Sequence, residues 1–162
     1  MNHPDIRPAT AGDLPAVLGL VHELAVYEQE PDAVEATEAD FAAVLFPTDG
    51  EPRAFCHVAE SGEGGSRRVV GMALWFLTFS TWTGRHGIHL EDLYVEPEHR
   101  GSGLGKALLT NLADICRARG YRRLEWKVLR WNAPSIAFYE SLGARPQVEW
   151  ETYRLDGASL EQ

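Results

Sequence analysis

Arg100-Gly101-Ser102-Gly103-Leu104-Gly105-Lys106 is the stretch on which the reading of this chain turns. Glycines at alternate positions let a backbone fold tightly and approach a ligand closely. What flanks the loop gives it meaning. Before it, residues 87–95 (GIHLEDLYV) alternate and carry the apolar residues of a strand. After it, Leu104, Ala107, Leu108, Leu112 and Ile115 recur at helical spacing over about 103–119, with Gly120 as the stop. A glycine loop between strand and helix leaves unpaired N–H groups at the positive end of the helix dipole, where an anion binds. A pyrophosphate is the natural guest. A Walker A loop requires G-x-x-x-x-G-K-[ST], but Arg100 stands five before Gly105 and Ala107 follows Lys106. A dinucleotide fingerprint requires G-x-G-x-x-G, and here the glycines run G-x-G-x-G.

Working outward, residues 4–8 suit a short first strand. Thr10-x-x-Asp13 opens a helix over about 11–29, ended by Pro31, and Thr37-x-x-Asp40 opens a second that stops at Pro47. Residues 53–60 and 68–78 form strands joined by the turn SGEGGS at 61–66. Beyond the central helix come a strand at 122–129, a short helix from Pro134 to Leu142 near the cap residue Asn132, and a final strand pair over 144–156. The order is β-α-α-β-β-β-α-β-α-β-β. This is an α/β chain with a central mixed, mostly antiparallel sheet flanked by helices, expected to be a single domain over 1–162.

Composition narrows the function. Hydrophobic residues make up 44% of the 162 positions, as in globular proteins. The formal net charge of −9 disfavours nucleic acid and anionic membranes and favours cationic partners. No apolar run is long enough to span a bilayer. The N-terminus lacks the basic and apolar regions of a signal peptide, so a cytoplasmic location is expected. Cys56 and Cys116 have no redox or metal spacing and read as small buried residues. His86, His89 and His99 share no metal-ligand spacing, and no metal is expected.

The R-G-x-G-x-G loop after a strand resembles the acetyl-CoA loop of the GCN5-related N-acetyltransferase (GNAT) superfamily. The likeness extends along nearly the whole chain. Ile6-Arg7-Pro8-Ala9-Thr10, Glu23-Leu24-Ala25-Val26-Tyr27-Glu28, the block 75–105 and Trp131-Asn132-Ala133-Pro134-Ser135-Ile136-Ala137-Phe138-Tyr139-Glu140 are similar to the diamine acetyltransferases. The resemblance implies a GNAT fold, acetyl-CoA as co-substrate, a small-molecule amine as acceptor and a homodimer. It also implies residue roles. Leu93, Tyr94 and Val95 would pair with pantetheine. Arg100, Gly101, Ser102, Gly103, Leu104, Gly105 and Lys106 would hold the pyrophosphate. Asn132, Ala133, Pro134 and Ser135 would line the cofactor's other side. Tyr139 would be the general acid, and Tyr27, Glu28, Trp82, Glu91 and Asp92 would lie at the amine site. Where the polyamine branch carries acidic residues, this chain has Ser80, Arg130 and Val148, with Glu149 adjacent to the last. Ser80-Thr81-Trp82 and Val128-Leu129 are closer to the thialysine branch.

The chemistry needs such residues. An alkylammonium has no free lone pair, and neutralising an amine of pKa near 10.4 at pH 7 costs roughly 4–5 kcal/mol. A carboxylate on the central strand attracts the cation and takes its proton, directly or through water. Glu91 is the candidate base, made more basic by burial, with Asp92 on the opposite face by strand alternation. A backbone N–H from a bulge at 93–95 would stabilise the oxyanion, and the Tyr139 hydroxyl the departing thiolate. No cysteine or serine has a base at recognisable spacing, so direct attack is expected. Tyr27 and Trp82 would clamp the cation through their ring faces. Two other readings remain open: acetylation of a protein lysine or N-terminus, and a non-catalytic acyl-CoA-binding module.

Overall fold

A computed structural model of the chain describes residues 3–161. Its strands are β1 (Ile6–Pro8), β2 (Phe55–Ser61), β3 (Arg68–Ser80), β4 (Arg85–Val95) and β5 (Leu124–Trp126). Its helices are α1 (Leu14–Tyr27), α2 (Glu38–Leu45), α3 (Leu104–Arg119) and α4 (Ala133–Ser141). The strands lie in sequence order in one mixed sheet, antiparallel except for the parallel pair β4–β5. The chain divides into a compact unit through Lys127 and a second from Val128 onward.

In the first unit, α1 begins where the sequence places its cap, with one difference. Residues Ala11–Asp13 wind as a 3-10 turn before the α-helix starts at Leu14. The Arg7 guanidinium fixes that turn to the sheet, donating to Asp13 at 2.7 and 2.9 Å and to Glu60 at 2.7 Å. The same bond holds the Asp13 carboxyl down at about 2. The helix ends at Tyr27, earlier than position 29, and Gln29 takes a left-handed φ of 67°. Leu14, Val17 and Leu20 of α1 and Leu45 of α2 pack with Cys56, Val58, Met72 and Tyr94 on one face of the sheet. The alternate strand positions carry Val70, Ala73, Trp75, Ile88 and Leu90, buried where α3 packs through Leu104, Leu108 and Leu112. Both cysteines are buried, as their isolation in the sequence suggests. Among the described residues, no helix is long and apolar enough to cross a membrane.

Strict alternation fails at one place on β4. Leu74 pairs with Asp92 and Trp75 with Leu90, so Glu91 is an extra residue in the ladder. This β-bulge sits at Glu91, not at 93–95. An inserted residue resets the phase of a strand whose side chains alternate. Asp92 is therefore not on the face opposite Glu91. His89, Asp92 and Tyr94 stand opposite Phe76, Leu74 and Met72, on the α1 face, and Glu91 contacts His89 there.

β5 is shorter than the expected strand at 122–129. It pairs only with residues 88–90, through Ile88–Leu124, His89–Glu125 and Leu90–Trp126. In the second unit α4 forms as expected, but the strand pair over 144–156 does not. Val148, Trp150, Tyr153 and Leu155 are exposed. Their spacing reads as strand, yet a strand is stabilised by a paired neighbour and a face to bury. Among the described residues of this unit Asn132 alone is buried, and Pro146 removes a backbone donor from the segment.

Candidate active site

The bulge gathers acid on the α1 face of β4. Glu91 is exposed, its Oε2 3.5 Å from His89 Nε2, and the His89 ring stacks on Phe76 at 4.9 Å. Asp92 is drawn in from solvent, and burial pushes its carboxyl up to about 6, with the negative charges of Glu91 and Glu28 adding to the rise. Glu28 comes from the end of α1, where partial burial raises its own carboxyl as well. Three carboxylates thus meet near one end of α1. The burial expected at Glu91 falls instead on Asp92, because the extra residue turns Glu91 outward.

Tyr27 reaches the same region, but a ring face expected for a substrate cation already carries a guanidinium. The Arg100 carbon lies 5.1 Å from the Tyr27 ring centre and 5.2 Å from that of Tyr94. Arg100 Nε donates to the Val95 carbonyl at 2.9 Å. Trp82 stands apart, in the turn beyond Ser80–Arg85. That pair lies five register steps from the bulge, roughly 17 Å at the usual strand rise. Within one chain the fold does not bring Trp82 to the three carboxylates.

The strand edge beside these carboxylates is open. Because the β4–β5 ladder stops at Leu90–Trp126, residues 91–95 have a strand partner only in β3 among the described residues. Leu93, Tyr94 and Val95 lie on this stretch, with backbone groups available to an extended ligand.

The glycine loop follows directly. Gly101 and Gly103 have φ of 75° and 90°, a left-handed backbone that glycine adopts without steric cost. A Cβ on either would meet nothing within 4 Å, so open space adjoins the loop. Gly103 caps α3 with no side-chain hydrogen bond, and the first turn carries no acidic residue. Helix-initial N–H groups left uncapped in this way suit a pyrophosphate. Lys106 is exposed on that turn, and Ser102 Oγ donates to the His99 carbonyl. The loop offers a place for an anionic group, and the open strand edge a place for an extended, hydrogen-bonding ligand.

In the second unit, Asn132 Oδ1 accepts from Ser135 N at 3.3 Å and caps α4, with Pro134 in the first turn. Ala133 and Pro134 are exposed and Ser135 is half-buried. Tyr139 is half-buried, its ring 5.4 Å from that of Phe138.

Sequence reasoning missed His89 as a neighbour of Glu91, and Glu23, whose charge acts on the Tyr94 side chain. Glu23 lies four residues before Tyr27, a spacing that puts both on one helix face and was legible. His89 lies two residues before Glu91, a spacing that puts both on one strand face and was legible; it is Asp92 and Tyr94 that join this face only through the bulge, which has no sequence signal of its own.

Comparison with known proteins shows the family and the fold. The sequence profile of the acetyltransferase (GNAT) family matches residues 19–144. The thialysine N-epsilon-acetyltransferase of Bos taurus is 38% identical over 97% of this chain and 95% of its own length. The spermidine/spermine N(1)-acetyltransferase-like protein 1 of Homo sapiens is 33% identical over 99% of this chain, which matches 24% of that longer protein. Among solved structures, an integron cassette protein from the mobile metagenome of V. cholerae superposes with a TM-score of 0.76 at 26% identity, covering 96% of this chain and 94% of that one.

Proposed function

The chain belongs to the acetyltransferase (GNAT) family, and from that premise we propose that it moves the acetyl group of acetyl-CoA to a primary amine of a small cationic molecule by direct attack. It is an acetyl-transfer enzyme whose relatives act on amines, and the family uses acetyl-CoA. The observation that carries the finer reading is the meeting of Glu28, Glu91 and Asp92 on one face, beside the open edge of residues 91–95. Three carboxylates, one exposed and two drawn in from solvent, attract an ammonium and can remove its proton.

Glu91, at the solvent side, is the acceptor that delivers the proton to water. Asp92 is its buried neighbour, held near it on the same face. Backbone groups of Leu93, Tyr94 and Val95 orient the thioester arm. The loop Arg100 to Lys106 holds the diphosphate, with Asn132, Ala133, Pro134 and Ser135 lining the coenzyme's other side. The Tyr139 hydroxyl donates to the departing sulfur. The thialysine-acetylating relative, together with Ser80, Arg130 and Val148 in place of acidic residues, favours a lysine-like amine over a long polyamine. In this reading residues 1–162 act as one catalytic domain, as a cytoplasmic homodimer, without metal.

Thiol release from acetyl-CoA against thialysine, lysine, putrescine, spermidine and a lysine-containing peptide tests the acceptor class. Turnover with thialysine and lysine supports the proposal. Turnover confined to the peptide points to a protein acetyltransferase. Tight acetyl-CoA binding with no turnover on any amine points to a binding module.

A further inference from the structure

Arg100 occupies a position that joins two parts of the site. Behind it, its Nε bonds the carbonyl of Val95, the last residue of β4. Ahead of it lie Gly101 and Gly103, both left-handed, with open space where side chains would be. Such a loop is ordered largely by what anchors its ends, and fixing a loop before its ligand arrives strengthens binding. Its leading anchor is the guanidinium between the rings of Tyr27 and Tyr94, at 5.1 and 5.2 Å.

The two rings come from different elements. Tyr94 is buried on β4 within the α1-side core, with the Arg100 guanidinium over its ring and the Glu23 charge acting on its side chain. Tyr27 ends α1, one helical turn after Glu23, and packs against the same core. Tyr27 therefore meets Arg100 from the helix, while Tyr94 and Val95 meet it from the strand. We propose that Tyr27 and Arg100 form a positioning clamp that ties the end of α1 to the phosphate loop, so that Tyr27 governs the affinity for acetyl-CoA rather than caging the substrate cation. This rests on the acetyl-transfer reading above. The helix that carries Glu28 to the amine pocket thereby also sets the loop that receives the diphosphate.

The clamp makes a prediction that a cation cage does not. A residue that touches only the amine leaves binary acetyl-CoA binding alone, whereas a clamp residue changes it with no amine present. Acetyl-CoA titrated calorimetrically into the full chain, without amine, reads this directly. Tyr27→Phe keeps the ring face and retains the wild-type dissociation constant. Tyr27→Leu keeps the bulk and loses the ring face, weakening acetyl-CoA about tenfold. In the Arg100→Lys background, which weakens the planar stacking, the further effect of Tyr27→Leu falls to about threefold or less. A Tyr27→Leu chain that binds acetyl-CoA like wild type while its amine KM rises would overturn the clamp in favour of the cage. Full additivity of the two substitutions overturns it as well. Should Tyr27→Leu fail to fold, amide exchange in Arg100→Gln decides. Faster exchange at Glu28, Gln29 and Glu30 supports the clamp, and unchanged exchange overturns it. A wild-type chain that does not bind acetyl-CoA would sink the acetyl-transfer reading itself, before any substitution is made.

Discussion

The unit through Lys127 and the unit from Val128 are built on different terms. In the first, two helices cover one sheet face, a third covers the other, and side chains such as Val17, Met72 and Leu108 have no solvent exposure. In the second, a short helix is held by a local cap, and the apolar residues Val148, Trp150, Tyr153 and Leu155 are exposed. Packing selects most residues of the first unit. In the second, packing selects few, and under the proposed function a substitution such as one at Tyr139 is expected to register in turnover before it registers in melting.

The contrast can be broken or sharpened by four substitutions. Leu108→Ala, on the buried face of α3, is expected to lower unfolding stability by about 2–5 kcal/mol, read from denaturant midpoints. A loss under 1 kcal/mol would mean the first unit is less tightly packed than described. Tyr139→Phe, in the second unit, is expected to lower kcat about 10- to 100-fold with an unchanged melting temperature. A melting shift with normal kcat would make Tyr139 a packing residue and erase the distinction.

Asp92→Asn crosses the two categories. The Asp92 carboxyl titrates at about 6 in the fold, above its ordinary value of 3.8. The folded state then holds a proton that the unfolded state releases, so wild-type stability falls as pH rises from about 4 to about 6 and is flat beyond. The variant is expected to match wild type below pH 4 and to exceed it above pH 6, by on the order of 2 kcal/mol, while losing acetyl transfer. Equal melting of the two proteins at pH 8 would refute the buried charge. Tyr153→Ser is expected to shift stability by less than about 0.5 kcal/mol. A larger loss would reveal packing around the exposed residues of the second unit.

The same division explains what the sequence disclosed. Through Lys127 most hydrophobic periods read correctly, since the helices and long strands bury one face against another layer; α3 and its stop at Gly120 are examples. The glycine loop was legible because its backbone demands are written in residue type. Val148 to Leu155 misled because a strand pattern states a preference for a face, and the preference requires a neighbour. The placement of Glu91 and Asp92 was misread for another reason. Alternation is a rule about counting, and a bulge adds one to the count without any residue type announcing it. The acidic pair was visible in the sequence; which member turns inward was not. The Arg100 neighbour of Tyr27 lies 73 positions away in sequence (100 − 27), beyond the reach of local spacing.

The extra residue in β4 also has a hereditary side. On a regular strand, a face accepts a new side chain only by exchange at every second position. At Glu91 the ladder accommodates one codon more, while Leu90 and Asp92 keep the partners Trp75 and Leu74 that an uninterrupted strand would give them. Losing that codon would delete one acid and leave the inward and outward assignments of both flanks intact. The acidity of this face can therefore be altered by a change in length, a kind of mutation that elsewhere in a sheet would scramble the core.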